Sequence, residues 1–178
     1  MPRMADSGFI QVASTRSDFA VFAGLVAEYV DWCRVRYQEH PWFVERVFGH
    51  QSLADELAAL PLAYSAPRGT VLLFVRDGAV CGGGAFRSLA DGSCEMKRLF
   101  VPDRYKGQGI GRRLCVALIE SARRAGFSLM RLDTAGLFAE AIALYEAVGF
   151  TRCAPHLEYP PELMQHLVFM ELPLARTR

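Results

Sequence analysis

Lys106-Gly107-Gln108-Gly109-Ile110-Gly111 stands between an extended run, Cys94 to Val101, and a helical pattern that begins near Ile110 and continues to Ala125. No other feature constrains the fold as strongly, because a strand must end in a glycine-rich turn that opens directly into a helix. Such a turn gathers free backbone N–H groups at the positive end of a helix dipole, which makes an anion cradle suited to a phosphate or pyrophosphate. Glycine at alternate positions lets a ligand approach the main chain without Cβ interference. Arg104, Lys106, Arg112 and Arg113 surround the turn, with only Asp103 against them nearby in sequence. Arg112 and Arg113 fall in the first helical turn and oppose the macrodipole by roughly 0.3–1 kcal/mol each, a penalty that a bound anion removes.

The spelling discriminates among phosphate motifs. A dinucleotide fold wants G-x-G-x-x-G, and the third glycine is replaced by Arg112; Asp133 still matches that fold's acidic ribose ligand about twenty residues on. The G-x-x-x-x-G-K-[ST] loop is excluded, since no Gly-Lys pair occurs in the chain.

Elsewhere, Phe9 to Ala13 reads as a first strand, and Ser17-Asp18 as the cap of a long helix with Phe19, Phe22, Ala23, Val26, Val30 and Cys33 at helical spacing. A broken helical region follows, Trp42 to Phe48 and Ser52 to Leu60, stopped by Pro61. Val71 to Val75, Ala79 to Phe86 and Cys94 to Val101 are extended runs separated by Asp77-Gly78 and Asp91-Gly92, which predicts an antiparallel meander. The helix after the cradle stops at Gly126. Leu129 to Asp133 must then run parallel to the strand before that helix. A helix from Ala139 to Ala147 ends at Gly149, and Phe150 to Cys153 with Leu167 to Leu172 forms a last hairpin.

The chain of 178 residues fits one domain over 1–178, with flexible ends expected at about 1–7 and 174–178. Its net charge of +1 offers no global field for nucleic acid or an anionic membrane, so neither is expected as a partner. The N-terminus lacks a signal-peptide core, and stretches such as Val71 to Val75 are too short to span a bilayer; a cytoplasmic location is expected. The five cysteines, with no C-x-x-C pair, read as reduced thiols, and the four histidines have no metal-ligand spacing. No metal is expected.

Lys106 to Gly111 resembles the [QR]-x-x-G-x-[GA] signature of the GNAT superfamily of acyl-CoA-dependent N-acetyltransferases, with Lys106 a departure from the usual Gln or Arg that keeps the positive charge of the arginine form. Glu95-Met96-Lys97-Arg98-Leu99-Phe100-Val101 is similar to that family's preceding strand, and Ala141 to Phe150 to its A-x-x-L-Y-x-x-x-G-F segment. The resemblance covers residues 94 to 153 closely and the rest loosely. It implies a mixed α/β, α+β-like fold: one mostly antiparallel twisted sheet of about six to seven strands, helices on both faces, and a central parallel pair splayed for acetyl-CoA. It further implies that a bulged strand presents the N–H groups of Leu99, Phe100 and Val101 to the pantetheine arm and thioester oxygen. Lys106, Gly107, Gln108, Gly109, Ile110, Gly111 and Arg112 would hold the diphosphate. Many relatives carry Asn where this chain has Phe138; that side chain reads as core or as a wall against the arm.

The implied reaction is acetyl transfer to an amine of a small-molecule or peptide acceptor, with monomer and homodimer both open. Glu95, Lys97 and Arg98 break the pattern of a central strand, as charged groups at working sites do. Glu95 is the candidate base; it reads equally as an ion-pair partner of Lys97, Arg98 or another cation. Tyr145 matches the family tyrosine that protonates the departing thiolate, against a core tyrosine on an amphipathic helix. With no G-x-S-x-G turn, direct transfer is preferred, and Cys94 reads as a buried apolar residue. The acceptor pocket is expected around Gln38 to Gln51 and Ala154 to Gln165, with Tyr37, Glu39, Trp42, Phe43, Glu45, His156, Glu158 and Tyr159 as candidates. A non-catalytic acyl-CoA sensor is the alternative; it needs neither Glu95 nor Tyr145.

Overall fold

The computed structural model describes residues 8–174. Seven strands, β1 (Phe9–Val12), β2 (Gly69–Arg76), β3 (Ala79–Ser88), β4 (Cys94–Phe100), β5 (Leu129–Ala135), β6 (Thr151–Arg152) and β7 (Leu167–Pro173), form one sheet in the order β1-β2-β3-β4-β5-β7-β6. Only β4 and β5 are parallel, so the sheet is the expected mostly antiparallel one with a single parallel pair at its centre. The helices are α1 (Arg16–Arg36), α2 (Pro41–His50), α3 (Leu53–Ala58), α4 (Leu60–Ala63), α5 (Ile110–Arg124), α6 (Ala139–Ala147) and α7 (Pro161–Met164).

Alternation along β2 feeds two cores at once. Leu72 and Phe74 join Leu114, Leu118 and Ala122 of α5 on one face, while Val71 and Leu73 join Phe19, Phe22 and Val26 of α1 on the other. Each fully buried Leu, Val or Phe contributes about 1.5–3 kcal/mol, which is why the sheet needs cover on both sides. Gly82 and Gly84 of β3 let α5 sit close. A Cβ at Gly84 would meet Leu118 Cδ1 at 2.9 Å, and one at Gly82 would meet the Phe100 carbonyl at 3.0 Å.

Local chemistry moves two of the expected boundaries. Thr15, not Ser17-Asp18, caps α1: its side chain accepts from Asp18 N–H while the Asp18 carboxylate accepts from Thr15 N–H, a reciprocal box that starts the helix earlier. Pro61 does not end the helical region but lies in the first turn of α4, where its missing N–H is no loss. Asp77 and Gly78 both adopt positive φ, 51° and 76°, as the tight hairpin between β2 and β3 requires. Of the ends expected to be flexible, 1–7 and 174–178, all but residue 174 lie outside the described residues. Leu174 is buried and donates its N–H to the Ser128 carbonyl.

Candidate active site

The central parallel pair is short. Only Cys94 with Met130 and Glu95 with Arg131 stay in register, after which β4 and β5 diverge. Immediately beyond, Arg98 and Leu99 oppose the single Gly84 across the β3–β4 ladder, a bulge in which Arg98 takes φ 57°. That left-handed backbone costs a non-glycine residue roughly 1–2 kcal/mol. The Arg98 side chain offsets it by donating to Glu56 at 2.9 and 3.2 Å and to Gln51 at 2.8 Å, with Tyr64 Oη also donating to Glu56 at 2.9 Å. The Arg98 guanidinium beside Glu56 holds that carboxyl below its usual range, against the burial that would raise it.

At the end of β4 the chain makes one 3-10 turn and enters the glycine segment. Gly107 and Gly109 adopt φ 74° and 77°, and Gly109 is the N-cap of α5, which has no side-chain cap. The first N–H groups of α5 therefore point outward as a helix N-terminus leaves them. Ile110 buries its side chain in the α5 core, so only its main chain can serve a ligand. Gly111 lies against Leu144 and Val101. The four cations are not gathered as the sequence implies. Arg104 bonds Glu28, and Arg113 donates to the Gly8 carbonyl and covers Phe74, which turns both away from the turn. Lys106 stays beside the turn, ion-paired with Asp103, its Nζ 4.0 Å from the Trp32 ring centre. Gln108 and Arg112 are exposed.

Two cavities meet at the splay. The outer one, about 320 Å³, is bounded by Leu99, Phe100, Val101, Lys106, Gly107, Gly109, Ile110 and Gly111 on one side and by α6 on the other. The inner one, about 70 Å³, lies among α1, α2, β4 and β5. Tyr29, Leu99, Thr134, Phe138 and Tyr145 border both. Tyr145 is thus brought to the junction, and burial pushes its phenol well above the ordinary tyrosine range, which keeps it neutral. Phe138 is core and wall together: it is buried against Trp32 and Tyr37 and also faces both cavities.

Glu95 is fully buried, and its carboxylate accepts from Arg87 Nε at 3.1 Å through Oε2, while Oε1 stands 3.8 Å from Lys97 Nζ without a hydrogen bond. The ion-pair arrangement is present, with Arg87 as the cation that sequence reasoning did not name; Arg98 is committed to Glu56 instead. Glu95 is not in the wall of the inner cavity; Lys97 and Asp133 are. Folding also brings His156 to Glu95 and Asp133, one ligating atom of each lying within 4.8 Å of the others, a set with the chemistry to hold a metal ion. Histidine spacing along the chain gave no sign of it. Both His156 ring nitrogens are buried without a hydrogen bond among the described residues, and burial lowers its pKa.

Of the expected acceptor residues, Tyr37 and Phe43 line the inner cavity. Trp42 and Glu39 are exposed, and Glu45 is taken by Arg34. His156, Glu158 and Tyr159 border a separate outer groove, from which Tyr159 Oη donates to Asp133. Gln51, at the end of the expected Gln38 to Gln51 segment, lines the inner cavity, whereas sequence reasoning missed Cys33, Lys97 and Asp133 as lining groups; the charged pattern of β4 flagged Lys97 without giving it a role. Burial pushes the Cys94 thiol up to about 12, so it is not a thiolate at neutral pH.

The sequence model of the Acetyltransferase (GNAT) family matches residues 25–150. An N-acetyltransferase of Schizosaccharomyces pombe, described as uncharacterized, is 33% identical over 129 residues, covering 71% of this chain and 77% of that protein. Among solved structures, an acetyltransferase from Streptococcus agalactiae superposes with a TM-score of 0.71 at 17% identity over 94% of this chain and 98% of its own. The yncA protein of Salmonella typhimurium, solved with its cofactor acetyl-CoA, does so with a TM-score of 0.65 at 23% identity over 96% of both chains. Among the described residues no helix is long and apolar enough to cross a membrane. With the glycine cradle, the splayed parallel pair and the matching family model in agreement, the chain belongs to the GNAT family of acetyltransferases.

Proposed function

We propose that the protein transfers the acetyl group of acetyl-CoA to a primary amine by direct attack in a ternary complex. The observation that carries this reading is the meeting of two cavities at one short wall, formed by Tyr29, Leu99, Thr134, Phe138 and Tyr145. A donor thioester in the outer cavity and an acceptor in the inner one come into contact only there. The Salmonella neighbour of the same fold was solved with acetyl-CoA, which supports acetyl-CoA as the donor here.

The glycine-turn amides and the first turn of α5 hold the diphosphate, with Lys106 and Arg112 adding charge at the rim. Where β5 leaves β4, the main chain of Leu99, Phe100 and Val101 has no strand partner on that side and serves the pantetheine arm and the thioester oxygen. As the amine attacks the carbonyl carbon, the oxygen gains negative charge, and N–H donors preorganised there lower the barrier. The C–S bond then breaks toward Tyr145. Its neutral phenol donates to the departing sulfur; because burial raises its pKa, complete proton transfer is more uphill than the roughly 2 kcal/mol implied by ordinary tyrosine and thiol values. Glu95 takes the ammonium proton through a bridging water, since it is not itself in the wall of the inner cavity.

A thiol-release assay with acetyl-CoA and a broad amine panel tests the reading. Turnover that falls in Glu95→Gln, chiefly below the pH at which free amine is plentiful, supports it. Tight CoA binding with no turnover of any amine would make the protein a sensor.

A further inference from the structure

The inner cavity displays one positive and one negative group, and neither is saturated. Lys97 is 7% exposed, lines the cavity and makes no hydrogen bond among the described residues; its one ion pair, with Glu95 Oε1, is long at 3.8 Å. An ammonium has three donors, and leaving them unmade in a buried position is costly. Asp133 lines the same cavity and accepts from Tyr159 Oη at 3.2 Å through one oxygen, while the other oxygen has no hydrogen bond among the described residues. Arg98, the remaining charge in the wall, is spent on Glu56 and Gln51.

We infer that the acceptor is a small free amino acid or a close analogue, its carboxylate received by Lys97 and its amino group by Asp133. Resting on the acetyl-transfer reading, the inference names that reaction's acceptor class. A simple cationic amine would leave the Lys97 ammonium with no more than its long contact to Glu95 and place a like charge near it. A zwitterion satisfies both groups at once. Size agrees: about 70 Å³ holds roughly five waters at the 10–15 Å³ each requires, which matches an acceptor on the order of five to eight heavy atoms. A folded protein substrate does not fit such a chamber, whose walls are Tyr29, Tyr37, Phe43 and Phe48. The acceptor ammonium gives one proton to the base, and the neutral amine then forms the C–N bond as the C–S bond breaks; the second proton leaves the nitrogen and replaces the one that Tyr145 gives to the sulfur, leaving N-acetyl amino acid, CoA thiol and one proton released to solvent.

Matched acceptors provide the test, in thiol release at saturating acetyl-CoA: glycine, L-alanine, L-serine and L-threonine against their primary amides, ethylamine and ethanolamine. The free acids are expected to exceed the amides and carboxylate-free amines at least tenfold in kcat/KM. Lys97→Met should lower kcat/KM for the acids at least tenfold more than for ethanolamine while leaving the acetyl-CoA Kd within twofold; Lys97→Gln, which keeps a polar end, serves if Met impairs folding. Equal or better rates with the amides or plain amines would overturn the inference. So would a Lys97 effect that is uniform across all acceptors, or acetyl-CoA binding with none of the acids acetylated. Failure to bind acetyl-CoA would remove the acetyl-transfer reading as well, a result separable from the others by calorimetry.

Discussion

Glu56→Ala places a direct strain on the bulge that opens the site. The Glu56 and Arg98 side chains are 5% and 6% exposed, so the substitution leaves a guanidinium buried without its carboxylate and Tyr64 Oη without its acceptor. Breaking a buried pair from one side costs about 3–5 kcal/mol, a large part of the 5–15 kcal/mol that holds a typical domain. Removing the second charge as well, in Glu56→Ala/Arg98→Met, should recover at least half of the loss, because the stranded cation accounts for most of it. Urea unfolding followed by circular dichroism reads both numbers, provided the m-values agree. Since the folded pKa of Glu56 lies below its unfolded value, the pair's contribution is fully present above about pH 4.5 and is lost as pH falls through the folded pKa. The wild type should therefore weaken on acidification below that point, and Glu56→Ala should weaken less. A single-mutant loss under about 1 kcal/mol, or no recovery in the double mutant, would refute the assignment of Arg98 as a buried charge that depends on Glu56.

Tyr145→Phe should lower kcat at least tenfold while leaving acetyl-CoA affinity within twofold, measured by steady-state kinetics beside calorimetry; a parallel loss of affinity would make the tyrosine a packing residue. Gly109→Ala meets no atom within 4 Å, so its cost is backbone strain alone, about 1–2 kcal/mol at φ 77°. Thermal melting should show that loss together with weaker CoA binding, as the helix start shifts to relieve the strain.

The sheet was legible in the sequence because its punctuation is local. Asp77-Gly78 sets a turn that needs two positive φ values, and Gly107 with Gly109 sets the cradle for the same reason. The cap of α1 was misplaced by a choice between neighbouring polar residues, which only the reciprocal Thr15–Asp18 bonds decide. Charge at the cradle was overcounted for a different reason: Glu28, which neutralises Arg104, is 76 residues away in sequence. The same limit hid the inner cavity. Lys97, Asp133 and Gln51 come from β4, β5 and the end of α2, and no spacing rule connects them. Three consecutive glycines, Gly82 to Gly84, were a signal that could have been read. In the middle of a strand they mark a close neighbour, here α5 and the bulge.

Calorimetric titration with coenzyme A, beside a nicotinamide dinucleotide as competitor, bears most directly on the claim that the amides of residues 107–111 grip a CoA diphosphate. Saturable CoA binding that weakens in Gly109→Ala and is untouched by the dinucleotide is the expected result. A dinucleotide that displaces CoA, or CoA heats that do not depend on the glycine turn, would contradict it.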